Sequence, residues 1–385
     1  MKLRFLTAGE SHGKALVGIL EGLPAGLEIN SEYIQKQMKR RKLGYGRGSR
    51  QKMEDDLVQI LSGVRHGITL ASPIALVIEN KDWKNWSDIM QTEAFSGEVK
   101  RKVEVPRPGH ADYIGALKYQ FDDMRNVLER ASARETTMRV AIASLARKLL
   151  EDIGIRVTSR VTQLGRVVDN STPDHDLNEI AQITDSHASR ALDRDADQKM
   201  CALVDEAKAK GETLGGVFEV LADGLPFGLG SYVQWNRRLE AEIGKSFLSL
   251  NAIKGVEIGL GFELAKSFGS EAHDEFAPSS QSGHFKYQSN RSGGIDGGMS
   301  TSQPIVVRAA MKPLSTLMKP LASVKLSTNE AALAHVERSD VTAVAAAAVI
   351  GESLLCLVLA EAVLDKFGGD SMNELRERVT AWRNQ

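Results

Sequence analysis

"AVAAAAVIGESLLCLVLAEAVL", from Ala343 to Leu364, is the stretch that most narrows what this chain can fold into. Its length and apolarity suit either a membrane-spanning helix or the buried core helix of a globular protein. Two glutamates separate these readings. Glu352 and Glu361 stand nine residues apart, which at 100° per residue places them on roughly opposite faces of a helix. A helix facing lipid would have to bury both carboxylates. The segment therefore reads as a core helix of a soluble protein, with no membrane partner. At 385 residues the chain can enclose such a helix in a large core, as two domains or one duplicated domain.

Around this helix the sequence alternates short apolar runs with glycine and a few longer amphipathic stretches, an α+β pattern with no Pro-rich linker. Strands are expected at Leu3 to Leu6, Ala15 to Leu20, Ile74 to Ile78, Val217 to Leu221, Val256 to Phe262 and Ile305 to Arg308. Helices are expected at Glu32 to Lys42, Met124 to Asp152, Ser189 to Lys210, Trp235 to Leu248 and Glu330 to Lys366. A weak internal repeat accompanies this order. "EGLPAGL" at 21–27 matches "DGLPFGL" at 223–229, "GITLASPIALVI" from Gly67 is echoed by "GGMSTSQPIVVR" from Gly297, and each half then reaches a long helix. The expectation is a single domain of two pseudo-repeated halves, roughly 1–155 and 156–385. Each long helix would carry one Arg motif, Arg130 to Arg134 in the first half and Arg338-Ser339-Asp340 in the second.

Charge limits the choice of ligand. With 49 basic and 50 acidic residues the net charge is −1, so no global basic field recruits nucleic acid, and an anion site must be a local gathering of Arg. Cys201 and Cys356 are the only cysteines, and the amino terminus "MKLRFLTAGESHG" turns polar within eight residues. These features predict a cytoplasmic protein without a leader or a disulfide framework. The sequence contains no G-x-x-x-x-G-K-[ST], no G-x-G-x-x-G after a strand, no H-E-x-x-H and no G-x-S-x-G, and its eight His show no metal spacing.

What remains is His, Arg and Gly. "TAGESHG" at 7–13 presents His12 in a small-residue turn after the first strand, and "RPGHAD" presents His110 with Arg107 three residues before it and Asp112 two after. Two imidazoles able to exchange protons near neutral pH suit general acid chemistry, although an isolated His in a turn is more often structural. "RASARETTMRVA" at 130–141 sets Arg130, Ala131, Ser132, Ala133 and Arg134 together beside an apolar face, a pattern suited to a close-fitting anion. "KRRKLGYGRGSRQK" at 39–52 is the densest positive run. It admits three readings: a cation-dressed helix end, a nucleic-acid patch, or a Gly-bent loop that folds Arg41 and Arg47 inward as phosphate or carboxylate forks. "NRSGGIDGGMSTSQP" at 290–304 and "MKPLST" at 311–316 add backbone N–H groups, a Lys and two hydroxyls.

These motifs together resemble one family, chorismate synthase, the flavin-dependent lyases that close the shikimate pathway. The matching pieces are "GESHG" at 9–13, "GYGRG" at 44–48, "SGVRHG" at 62–67, "RPGHAD" at 107–112, "RASARETTMRVA" at 130–141, "NAIKGVE" at 251–257, "RSGGIDGGMS" at 291–300, "MKP" at 311–313 and "RSD" at 338–340. The resemblance implies anti-1,4 elimination of phosphate from 5-enolpyruvylshikimate 3-phosphate, giving chorismate with reduced FMN and no net redox change, in aromatic amino acid biosynthesis. That substrate carries two carboxylates and a phosphate, and a site without metal needs several Arg to hold it.

On this resemblance His12 protonates the departing phosphate, His110 stabilises or protonates the reduced flavin, and Asp340 manages the proton at flavin N5. Arg41, Arg47, Arg107, Arg134 and Arg338 bind substrate anions, with Arg41 and Arg47 also linked to NADP. Flavin contacts fall on Arg130, Ala131, Ser132, Asn251, Ala252, Gly297, Lys312, Pro313, Leu314, Ser315, Thr316 and Arg338. The resemblance also implies a flavoprotein homotetramer, a β-α-β sandwich with a helical layer of long helices between antiparallel sheets, and association with FMN, FAD and NADP. Reducing equivalents would come from NADPH through a separate flavin reductase, since no appended reductase signal is visible. Ala131 stands where many relatives have Ser, and Ser339 where one branch has His, which weakens side-chain roles at those two positions. Two competing functions are a nucleic-acid-binding module built on the basic run, and a flavin oxidoreductase acting on a phosphorylated acid.

Overall fold

The computed structural model describes residues 2–48, 55–278, 285–337 and 340–385. Two antiparallel sheets organise the chain. The first contains β1 (Arg4–Ala8), β2 (Ala15–Glu21), β3 (Val58–Ile60) and β4 (Ile74–Glu79), in the order β1-β2-β4-β3. The second contains β5 (Arg156–Leu164), β6 (Val167–Val168), β7 (Gly216–Asp223), β8 (Ile253–Ile258) and β9 (Ile305–Met311), in the order β8-β9-β7-β5-β6. The α-helices longer than one turn are α1 (Ser31–Lys42), α2 (Asp112–Tyr119), α3 (Arg125–Ala131), α4 (Thr136–Asp152), α5 (Leu177–Ser186), α6 (Arg194–Ala209), α7 (Leu239–Leu248), α8 (Val344–Phe367) and α9 (Met372–Arg383) among the described residues.

The helix α4 packs on β2 and β4, α8 packs on β5 and β7, and the two helices pack on each other. Alternation makes this packing available: Leu16, Gly18 and Leu20 of β2 are buried while Val17 and Ile19 between them are exposed. Gly18 is required where α4 crosses, because a Cβ there would lie 2.6 Å from both Ile142 Cδ1 and Met138 Sδ. Gly351 does the same for α8, where a Cβ would lie 2.6 Å from the Phe218 ring of β7. One continuous apolar core runs through both sheets and both helices.

The apolar segment that opened the sequence reading is α8, and it is long and apolar enough to cross a membrane; 83% of its most apolar window is buried inside the protein. Its two glutamates separate as the helix geometry requires. Glu361 is partly exposed, with Lys2 3.9 Å away. Glu352 is wholly buried and accepts from Arg40 Nη1 at 2.6 Å, Arg40 Nη2 at 2.9 Å and Ser159 Oγ at 2.6 Å, with Arg147 also bound. Burial raises this carboxyl, but the Arg40 and Arg147 charges outweigh it and hold the group at about 2. Arg40, from the last turn of α1, is thereby tied to the middle of α8.

Several sequence expectations need correction. The helix expected over Met124 to Asp152 is broken: Ser132 adopts an extended conformation (φ −64°, ψ 142°) between α3 and a short 3-10 turn, Ala133–Glu135. The helix expected from Glu330 begins only at Val344, and Ala331–Leu333 is instead a strand paired with Ala322–Val324. The Arg-rich motif and Asp340 therefore sit just before the long helices rather than on them. The helix expected from Ser189 begins at Arg194, capped by the Asp193 side chain, and the strand expected to Phe262 ends at Ile258. The helices α2, α5 and α9 were not anticipated.

Candidate functional site

Loops and helix ends from both halves surround a cavity of about 460 Å³. The β1–β2 turn brings Ser11 and His12, the end of α1 and its following loop bring Arg41, Arg47 and Gly48, and the segment before α2 brings Arg107 and His110. The α3–α4 break contributes Ala131, Ser132 and Arg134. Asn251 and Ala252 come from the α7–β8 connection, Lys312 to Thr316 follow β9, and Asp340 precedes α8. Ala343, Ala346, Ala347 and Ile350 at the start of α8 form an apolar wall with Leu128, Leu250 and Met311.

The Ser132 break explains why a run that looks like one helix builds a site. An uninterrupted helix would send Arg130 and Arg134 up one face, whereas the break turns them apart. Arg134 lines the cavity and is bound by Asn80 Oδ1 at 2.8 Å and by Asp56. Arg130 leaves the cavity, and its guanidinium donates to Gly9 O and Thr7 O, each at 2.9 Å. Arg139, further along, pairs with Glu135 at 2.6 Å.

His12 is held from behind. The buried Glu129 carboxylate of α3 accepts from His12 N at 2.8 Å and lies 2.9 Å and 3.0 Å from Nδ1, while the Trp86 ring stacks on the imidazole at 3.8 Å. Burial raises the Glu129 carboxyl, but hydrogen bonds and charge from His12, with Arg125, hold it below its ordinary value. His110 is held by its near neighbour, with Asp112 Oδ1 2.6 Å from Nδ1. Asp112 also grips Arg107 through Nε at 2.8 Å and Nη2 at 3.0 Å, and Arg107 Nη1 donates to Thr316 Oγ1 at 3.0 Å. Burial would raise Asp112, yet its bonds to His110 and Arg107 push it well below the usual carboxylate range.

Two guanidiniums face the cavity less fully compensated. Arg41 is buried, bonds only neutral oxygens, Thr136 Oγ1 at 2.9 Å and Ala133 O at 3.0 Å, and has no carboxylate bound to it among the described residues. Burial first, then the neighbouring Arg47, lower it to about 9. Guanidinium does not give up its proton in proteins, so a bound anion is what relieves that imbalance. Arg47 pairs with Asp340 Oδ2 at 2.8 Å, and its buried Nε has no partner among the described residues. Asp340 Oδ1 also accepts from Gly48 N at 2.6 Å. Of the three readings of the basic run, the described part, up to Gly48, therefore favours inward forks; the rest of the run, 49–52, lies outside the described residues.

Most of the expected site residues share this one cavity: His12, His110, Asp340, Arg41, Arg47, Arg107, Arg134, Ala131, Ser132, Asn251, Ala252, Lys312, Pro313, Leu314, Ser315 and Thr316. Asn251 Nδ2 donates to Ala131 O at 3.0 Å, and Lys312 Nζ donates to Gly109 O, so these contacts tie the halves together. Arg130 and Gly297 do not line the cavity; Gly297 sits in the tight turn between Ile295–Asp296 and Met299–Ser300. Arg338 lies outside the described residues. Sequence reasoning missed Glu129, Trp86, Asp56 and Glu337. The signal for Glu129 was its i,i+4 spacing from Arg125 around the apolar Leu128.

Comparison with known proteins follows the same outline. The sequence model of the chorismate synthase family matches residues 3–364. The chain is 50% identical over 383 residues to chorismate synthase of Enterococcus faecalis, covering 99% of this chain and 98% of that one. It is 51% identical over 383 residues to chorismate synthase of a Geobacillus species, with the same coverage. A crystal structure of chorismate synthase superposes with a TM-score of 0.80 at 40% identity, covering 100% of this chain and 98% of that one.

Proposed function

Since the chain belongs to the chorismate synthase family, with the activity of that family, we propose how its own residues carry the reaction. The activity is phosphate-eliminating lyase chemistry, converting 5-enolpyruvylshikimate 3-phosphate to chorismate and phosphate by anti-1,4 elimination with a reduced flavin. The reading proposed for the flavin is FMN. The cavity suits it: the small side chains Ala343, Ala346 and Ala347 leave an apolar wall for a flat ring, and Ala131, Ser132, Asn251, Ala252 and Lys312 to Thr316 border it. When bound, reduced flavin supplies electron density that assists loss of phosphate.

The observation that carries the residue assignments is the incomplete compensation of Arg41 and Arg47 inside one cavity. Together with Arg107 and Arg134 they form a set of forks for two carboxylates and a phosphate. His12 donates a proton to the departing phosphate oxygen. His110, with Arg107 and Asp112, presents a proton donor to the flavin edge. Asp340 would manage the proton at flavin N5, its charge balanced by Arg47. The apolar wall limits the water that can compete for the arginines.

The same reading extends to a homotetramer in the cytoplasm, two related halves with a helical layer between sheets, and NADPH reducing the flavin through a separate reductase. In support of the repeat, β2 pairs antiparallel with β4 and β7 pairs antiparallel with β9, and in each pair a tight hairpin precedes the second strand. The deciding experiment is phosphate release from the substrate with oxidised and with reduced FMN, in chelator. Release only with reduced flavin, with many turnovers per initial reduction, is expected. Reductant consumed one-for-one with substrate would replace this reading with the oxidoreductase.

A further inference from the structure

Glu129 has no place in the scheme above, yet its side chain, like that of Asp112, has no exposed surface. Three contacts go to one residue, His12, through the backbone N and through Nδ1 to both carboxylate oxygens. The backbone is drawn in as well, since Ser11 N donates to Glu129 O at 3.0 Å. A carboxylate at Nδ1 accepts a hydrogen bond from Nδ1–H and so keeps the proton there; the neutral ring then carries its lone pair on Nε2 and the charged ring carries its second proton on Nε2.

We propose that Glu129 is the positioning residue of His12, fixing the Nδ1–H tautomer and clamping the ring against Trp86, so that Nε2 is the atom from which a proton is delivered. This rests on the reading of His12 as proton donor. Arg125 completes the device. It lies one turn before Glu129, donates to Oε1 at 3.1 Å and keeps the buried carboxylate ionised. The charged groups around the assembly are Arg125 and Glu129 on α3, Arg101 over the Trp86 ring at 4.3 Å, and Glu337 3.6 Å from Arg125 Nη2, beside His335. Across the cavity stand Arg41, Arg47, Arg134 and Asp340. Among these groups, Glu129 is the carboxylate hydrogen-bonded to the His12 ring.

Glu129→Gln is the first test, because it keeps size and removes charge. The turnover number is expected to fall by about 10²-fold. In ring-¹⁵N NMR the His12 signals should pass from the Nδ1–H pattern to a mixture of tautomers. In a His12→Ala background the same substitution should cost less than about twofold, since groups acting through one another are not additive. An unchanged tautomer pattern overturns the proposal while leaving His12 as donor intact. Normal turnover in His12→Ala alone overturns the underlying reading instead. Should Glu129→Gln fold poorly by circular dichroism, Glu129→Asp retains the carboxylate one methylene further back. There the tautomer pattern should persist with a smaller loss of turnover, and a full His12 tautomer change in Glu129→Asp would count against the proposal.

Discussion

His12 and His110 face the same cavity, and each has a carboxylate at Nδ1, but the two pairs are built differently. Asp112 comes from two residues away, and it divides its charge between His110 and Arg107, whose Nη2 lies 3.0 Å from the His110 ring nitrogen. Glu129 comes from 117 residues away and gives both oxygens to His12, while Arg125 sits behind the carboxylate rather than against the ring. Both carboxylates also bind an Arg, but only at His110 does that guanidinium touch the imidazole as well. In the proposed scheme the same residue pair serves two tasks, and the placement of one Arg is what distinguishes them.

The largest expected effect tests that division directly. His12→Ala should lower kcat by about 10²–10⁴-fold while flavin affinity, followed by fluorescence quenching, changes little. His110→Ala should do the reverse in part: a weaker flavin, with kcat down by about 10-fold at saturating flavin, because a hydrogen bond rather than a proton transfer is lost. Equal losses in kcat with flavin affinity unchanged in both variants would erase the distinction between the two sites.

Next comes Asp112. Removing one partner of a buried ion pair typically costs about 3–5 kcal/mol, and Asp112→Asn leaves Arg107 without its carboxylate. Because the folded-state group is depressed, its contribution to stability is complete above the unfolded carboxyl value near ~4 and is lost as pH falls below it. Urea unfolding should therefore show a large gap between wild type and Asp112→Asn at pH 7 that narrows at pH 3. A gap independent of pH would mean that the carboxylate charge is not what holds Arg107.

The two pairs also differ in how far sequence could reveal them. "RPGHAD" carries His110, Arg107 and Asp112 within six residues, so the local run already contained the cluster. His12 was visible for its turn, but its partner was not, since Glu129 acquires meaning only when α3 ends at the Ser132 break and swings against the β1–β2 turn. Periodicity could not show that break, because the apolar spacing continues across it and Ser132 is an ordinary residue in a helix. The same blindness extended the second long helix back over Asp340. Strands and helix centres were legible because burial imposes alternation or a stripe, whereas the junctions that make the site are set by contacts distant in sequence.

Arg130 gives the smallest effect and the sharpest check on what the break does. An expected flavin ligand by its motif, it instead binds Gly9 O, Thr7 O and Thr7 Oγ1, the backbone that leads into His12. The contacts are exposed, so water can replace much of what is lost, and hydrogen bonds of this kind contribute about 0.5–1.5 kcal/mol each at most. Arg130→Ala should thus leave flavin affinity within about twofold, since no contact to the cavity is removed, and lower the melting temperature by only about 1–2 °C, the shift that ~1 kcal/mol gives in a chain of this size. Turnover should fall by a few-fold, because the turn presenting His12 loses one tether while Glu129 still holds the ring. The loss should shrink in a His12→Ala background but persist in His110→Ala. A fall in flavin affinity of ten-fold or more would instead return Arg130 to the cofactor, and would mean that the guanidinium leaves Thr7 and Gly9 when the cavity fills.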